Sequence, residues 1–132
     1  MSEPPEVTPA LAAFLRDNID SLEQLELLAL IVKMPERWWD ATTVGEELGI
    51  ATRMARATLE RLASRNLLEI SLTTDVRYRL QPGTALLQER CEAFAEAYRT
   101  KPAAILRFVT DAHRRAIRDF ADAFRVRRHD DR

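Results

Sequence analysis

The stretch Ala41 to Arg65, ATTVGEELGIATRMARATLERLASR, constrains this chain more than any other. Two short amphipathic segments meet there at Gly49. On the first, Val44 and Leu48 stack one turn apart, and Glu46 and Glu47 fall outside. Gly49 supplies the left-handed residue that stops this helix, and Ile50 is the apolar residue that pins the turn. Thr42 or Thr43 is the expected cap of the first helix, and Thr52 that of the second. The second segment sets Ala55, Leu59 and Leu62 at core spacing, flanked by Met54 and Thr58. Its outward face holds Arg53, Arg56, Ala57, Glu60 and Ser64, with Arg61 and Arg65 beside it. This is the pattern of a helix-turn-helix, whose second helix, about Thr52 to Arg65, suits a DNA major groove. A plainer reading stays open, because arginines on an amphipathic helix also serve as its solvated side. Glu60 counts against the groove unless it accepts a hydrogen bond from cytosine or pairs with Arg56.

The residues after this stretch support a helix-turn-helix. Asn66 is placed to stop the helix, and Leu68, Ile70 and Leu72 then alternate with Glu69 and Ser71, a half-buried strand. Thr73 to Val76 makes a tight connection in which Asp75 can bond the backbone. Arg77 to Leu80 returns, with Arg77 and Arg79 on one face and Tyr78 and Leu80 on the other. A helix-turn-helix continued by a hairpin is a winged helix, so the expected fold is mainly α with a small β component. An isolated hairpin is marginal in water, and Trp38 or Trp39 is expected to add a third short strand to the wing. The adjacent indoles equally suit the wall of a ligand pocket, and both readings stand.

Upstream, Thr8 caps and Pro9 opens a short helix through Leu11, Phe14 and Leu15 to about Asn18. Ser21 and Gln24 have capping-box spacing. The helix they open, Leu22 to Lys33, is apolar over too wide an arc for a surface helix and belongs in the core; Pro35 ends it. Downstream of Pro82-Gly83, a helix from Thr84 to about Thr100 carries Leu86, Leu87, Cys91, Phe94 and Tyr98 on one face. Pro102 opens another through Ile105, Leu106, Phe108 and Val109, and the spacing continues through Ile117, Phe120, Ala121 and Phe124. The chain thus divides into a loose arm over 1–8, a winged helix over 9–82, C-terminal helices over 83–124 and a basic tail over 125–132. The last helices need burial against the chain's own first helix or a second copy. A two-fold dimer is the preferred reading, with Leu86, Leu87, Phe94, Tyr98, Ile105, Phe108, Phe120 and Phe124 as candidate interface residues. It would set two second-motif helices about 34 Å apart, one turn of DNA.

Charge is divided along the chain. Residues 1–49 hold ten acidic against three basic side chains, whereas 50–81 hold three against six and 99–132 five against ten. The overall formal charge is only −1, so positive charge gathers on the second motif helix, the hairpin and the C-terminal region. One cysteine, no leader-like N-terminus and no long apolar run predict a cytoplasmic protein with no membrane partner. Cys91, among apolar neighbours, reads as a small buried hydrophobe or as a redox sensor. His113 and His129 lack metal-ligand spacing, and three glycines form no phosphate-cradling loop. No catalytic residue, metal or cofactor is expected, and the chain does not read as an enzyme.

Residues 22–82 resemble the winged helix-turn-helix domain of bacterial transcriptional regulators, and the order of elements is similar to that of MarR-type regulators. Asp75-Val-Arg77 stands where those proteins carry Asp-x-Arg in the wing, and Leu80-Gln-Pro-Gly83 loosely echoes the Leu-Thr and glycine after it. The wing here is short, the Leu-Thr is not intact, the N-terminal helix is shorter, and Asn66 replaces a commoner glycine. The resemblance implies a dimeric regulator of double-stranded DNA. It assigns Thr52, Arg53, Arg56 and Arg61 to the major groove. It assigns Arg77 and Arg79, in a wing spanning about Leu68 to Gln81, to the backbone or minor groove. Two other readings are open: a winged helix that docks a protein partner, suggested by the acidic first half and Glu60, and a small-molecule effector site near Trp38, Trp39, Phe94 and Tyr98.

Overall fold

A computed structural model describes the backbone of residues 7–130 and the side chains of residues 7–123. Among these residues are six helices and one two-stranded antiparallel sheet, a winged-helix fold. The expected loose arm falls almost wholly, and the side chains of Phe124 and the basic tail fall entirely, outside the described residues.

Helix α1 (Pro9–Asn18) starts where Thr8 accepts from the Leu11 N–H and Pro9 takes the first turn. Helix α2 (Leu22–Lys33) starts at Ser21, which accepts from the Gln24 N–H at 3.2 Å. The capping box is not reciprocal: Gln24 reaches one residue further back and accepts from the Asp20 N–H at 2.6 Å. As its wide apolar arc requires, α2 lies in the middle of the molecule, with Leu25, Leu27, Leu28 and Ile31 fully buried. Around it pack the motif helices, β2 and the last two helices, while α1 packs on those last two helices.

Helix α3 (Ala41–Leu48) begins earlier than Thr42 or Thr43 would allow. Its cap is Asp40, whose carboxylate accepts from the Thr43 N–H at 2.7 Å. The threonines therefore sit inside the first turn. Gly49 ends α3 in the left-handed region at φ 69°, and the Ile50 N–H closes back onto the Gly45 carbonyl at 3.0 Å. Gly45 is the less obvious requirement, because a Cβ on it would meet the Ile50 carbonyl oxygen at 2.8 Å. Helix α4 (Thr52–Ser64) begins just beyond, and here Ala51, not Thr52, occupies the cap with no side-chain hydrogen bond. Ala55, Leu59 and Leu62 point inward at zero exposure. Asn66, at φ 66°, makes the left-handed turn out of α4.

Strands β1 (Leu68–Ser71) and β2 (Arg77–Leu80) pair with Leu68 opposite Leu80, Glu69 opposite Arg79 and Ile70 opposite Tyr78. Trp39 extends the sheet by one residue on the other side of β2, exchanging both backbone hydrogen bonds with Tyr78 at 2.7 and 2.8 Å. Trp39 and Tyr78 are both buried in the core, so this indole packs and lines no pocket. Alternation along the first strand does not bury it as expected. Leu68 is covered, but Ile70 is 47% exposed and Leu72 lies in the loop at 75%. On β1 the core ends at Leu68 and on β2 it reaches Tyr78; beyond them the wing projects into solvent.

Helix α5 (Ala85–Thr100), capped by Thr84, buries Cys91 and Phe94 against α1 and α2. The Phe94 ring stands 6.2 Å from that of Phe14 and 5.7 Å from that of Tyr98. Burial pushes the Cys91 thiol up to about 11, which keeps it protonated at neutral pH and favours the packing role over redox sensing. Helix α6 (Pro102–Asp130) continues to Asp130, into the segment assigned to the tail. It is anchored over its first turns by Ile105 and Val109, and past Ala112 its described side chains are exposed.

Candidate nucleic-acid interface

The outward side of α4 is dictated by its inward side. With Ala55, Leu59 and Leu62 in the core, Arg53, Arg56, Ala57 and Glu60 are turned to solvent. Arg53 and Arg56 make no ion pair with another described residue, and none joins Arg56 to Glu60. Thr52, half-buried at the first helical position, lies against the Gly45 turn.

Arg61 is differently placed. Its guanidinium donates to Asp20 Oδ2 at 3.2 Å, and Arg65 donates to the same oxygen at the same distance. Both are thereby turned to the corner between α1 and α2. Of the four arginines of this region, two are open and two are held.

Both wing arginines have an acidic partner, and they differ in how firmly they are held. Arg79 lies directly across the ladder from Glu69, bonds to it through two guanidinium nitrogens, and stacks 4.5 Å from the Trp38 ring centre. Arg77 is exposed, with Asp75 at 3.4 Å from one of its nitrogens. Period-2 geometry puts Arg77 and Arg79 on one face, as the alternation predicts; Arg77 is the more exposed of the two and Arg79 is half-buried.

Electrostatics ties α4 to the wing and the wing to α3. Burial pushes the Tyr78 hydroxyl above its ordinary value, the Glu60 charge adds to this, and Arg56 opposes it. The second and third turns of α4 are thus close enough to β2 to act on its central residue. The Asp40 carboxyl is held low, first by the Thr43 N–H, then by the Thr43 side chain, with a further contribution from Arg77. The cap of α3 and the open wing arginine therefore share one neighbourhood.

One basic residue of this region is not among those the sequence singles out. Arg37 stacks 3.9 Å from the Trp39 ring centre. Its signal is the run Arg37-Trp38-Trp39, in which a basic residue directly precedes two aromatic ones.

The candidate dimer residues separate by burial. Phe94 and Ile105 have zero exposure inside the chain's own core; Leu87, Tyr98 and Phe108 are half-buried against it. Leu86 is 56% and Phe120 74% exposed. Of the four residues suggested for an effector site, Tyr98 lines a groove of about 640 Å³ between α2 and α5, whereas Trp39 and Phe94 are buried in the core. No helix among the described residues is long and apolar enough to cross a membrane, and none of their His, Cys, Asp and Glu side chains cluster as metal ligands.

No family model and no curated protein matches the chain. Solved structures similar to it include the YusO protein from Bacillus subtilis, at 17% identity over 88% of this chain and 86% of that one, TM-score 0.49. Another is RV1404 from Mycobacterium tuberculosis, at 19% identity over 86% of this chain and 77% of that one, TM-score 0.50. At this identity the second likeness concerns the fold alone.

Proposed function

We propose that the chain is a dimeric, DNA-binding transcriptional regulator of the MarR-like kind that its sequence resembles. The observation that carries this reading is the open basic face of α4: Arg53 and Arg56 are exposed, without an acidic partner among the described residues, and Arg56 is close enough to the wing to act on Tyr78. In this reading α4 enters the major groove, with Arg53 and Arg56 on bases or phosphates and Thr52 at the groove edge, while Arg77 tracks the backbone or minor groove. Arg61 and Arg79 start from protein partners, so their contribution is smaller than charge counting suggests. The test is an anisotropy titration of the full chain against duplex DNA between about 50 and 200 mM salt, where phosphate contacts weaken binding steeply. Arg53→Ala combined with Arg56→Ala is expected to weaken binding at least tenfold and flatten the salt dependence. Binding that ignores salt, or survives the double substitution, contradicts the reading.

Dimerisation is supported by the shape of α6. A groove of about 540 Å³ between α1 and α6 has Leu15, Ile19, Phe108 and Val109 on its walls, and the exposed Ile117 and Phe120 continue along the same helix. Groove and protruding apolar stripe on one element are what a self-complementary two-fold contact needs.

A second reading has its own observation. Ile70, Leu72 and Val76 on the wing and Met54 on α4 are all at least 46% exposed, an apolar edge more suited to a protein than to phosphate. A stoichiometric protein partner lost on Leu72→Asp, with no DNA affinity, would favour that use of the same wing.

A further inference from the structure

The corner between α1 and α2 holds two arginines of α4 at one atom. Arg61 and Arg65 each stand 3.2 Å from Asp20 Oδ2, and Arg65 also donates to the Asp17 carbonyl. The corner is itself fixed. The Asp20 N–H donates to the side chain of Gln24, which is buried in α2, and Gln24 in turn donates its N–H to Ser21 Oγ. Guanidiniums hold carboxylate and phosphate oxygens through the same charge-assisted hydrogen bonds, so the oxygen these two share is in the place a phosphate oxygen could take. The three side chains remain exposed, at 56%, 36% and 41% for Arg61, Arg65 and Asp20. Ion pairs this open are weak and exchange readily for another anion.

We infer that Asp20 is an internal stand-in for a DNA phosphate: it occupies Arg61 and Arg65 in the free protein and competes with the duplex backbone for them. The inference rests on the proposed DNA binding and extends the nucleic-acid surface to Arg65 and to the α1–α2 corner. Affinity at this end of α4 is then a balance between an internal and an external anion. The protein binds DNA less tightly than its arginines allow.

The experiment compares Asp20→Asn with Glu23→Gln in the full chain, by anisotropy titration against one duplex at fixed salt. Glu23 is exposed on the same corner, lines the same cleft beside α4, and touches neither arginine. Its substitution therefore removes the same unit charge without freeing a guanidinium. Asp20→Asn is expected to tighten binding about two- to fivefold beyond Glu23→Gln, the range set by an exposed ion pair. That gain should disappear when Arg61→Ala and Arg65→Ala are also present. Circular dichroism melting of each variant checks that the fold is kept. Equal effects of the two substitutions, a gain that persists without the arginines, or weakened binding by folded Asp20→Asn would each overturn the inference while leaving the DNA-binding reading standing. Absence of any salt-dependent binding by the unmodified chain would end both.

Discussion

At the scale of single residues, what the structure adds is mostly partnership across long sequence separations. Asp40 is a local case with one distant contribution, from Arg77. Its carboxylate caps α3, and its pKa is lowered chiefly by the Thr43 N–H. A folded-state pKa below the ordinary 3.8 means that the ionised form stabilises the fold above that pH. The contribution is lost as pH falls through the lower, folded value. Asp40→Ala is expected to lose about 1 kcal/mol in urea titration at pH 7. Asp40→Asn should lose less and flatten the acid limb of stability against pH, since an amide caps as well but does not titrate. An equally steep acid limb in Asp40→Asn would show that the cap is not its source. Local chemistry announces a cap near this position, and the sequence offers three oxygen-bearing side chains within four residues. The choice of Asp40 over Thr42 or Thr43 depends on where the Trp39 bridge to β2 releases the chain. The fates of Arg61 and Arg79 are illegible in the sequence for the same reason: Asp20 is 41 residues from Arg61, and Trp38 meets Arg79 only through the sheet.

At the scale of elements, periodicity succeeds wherever an element is covered on one side along its whole length. α1, α2 and α4 occupy the ranges their apolar spacing demands, Gly49 makes the left-handed exit expected of it, and Asn66 ends α4 as expected, in the same left-handed region. The wing departs because alternation shows which face of a strand is apolar but not how far the core extends beneath it. Ile70 and Leu72 continue a pattern past the point where anything covers them. Gly45 is silent in the sequence because a mid-helix glycine has no local signature. Its role arises only when α3 and the start of α4 approach each other. In an open helix, glycine to alanine stabilises by about 0.5–1 kcal/mol. Gly45→Ala is expected to reverse that sign and destabilise by about 1–3 kcal/mol, because the added methyl meets a backbone carbonyl that cannot swing away. Thermal or urea unfolding decides it, and a gain in stability would contradict the close approach.

At the scale of the whole molecule, α6 is the element a single chain leaves least provided for. Ile117 is 57% exposed on a helix whose anchoring apolar residues lie earlier. In the dimeric reading this stripe is an interface, so Ile117→Glu combined with Phe120→Glu should convert a dimer into a folded monomer in sedimentation equilibrium. A wild-type chain already monomeric at about 100 μM would rule the dimer out. The sequence shows the apolar stripe but not its occupant, since spacing is the same whether a helix packs on its own chain or on a copy.

The proposed function stands or falls on α4 lying in a major groove, with a second copy one turn away. Methylation interference on a duplex selected from a random library by the full chain tests this most directly. The predicted result is interference at guanine N7 in two major-groove segments on one face of the duplex, their centres about 10 base pairs apart. Arg53→Ala combined with Arg56→Ala should abolish it. Enrichment of no duplex at all, or interference confined to the minor groove and unaffected by that double substitution, would contradict it.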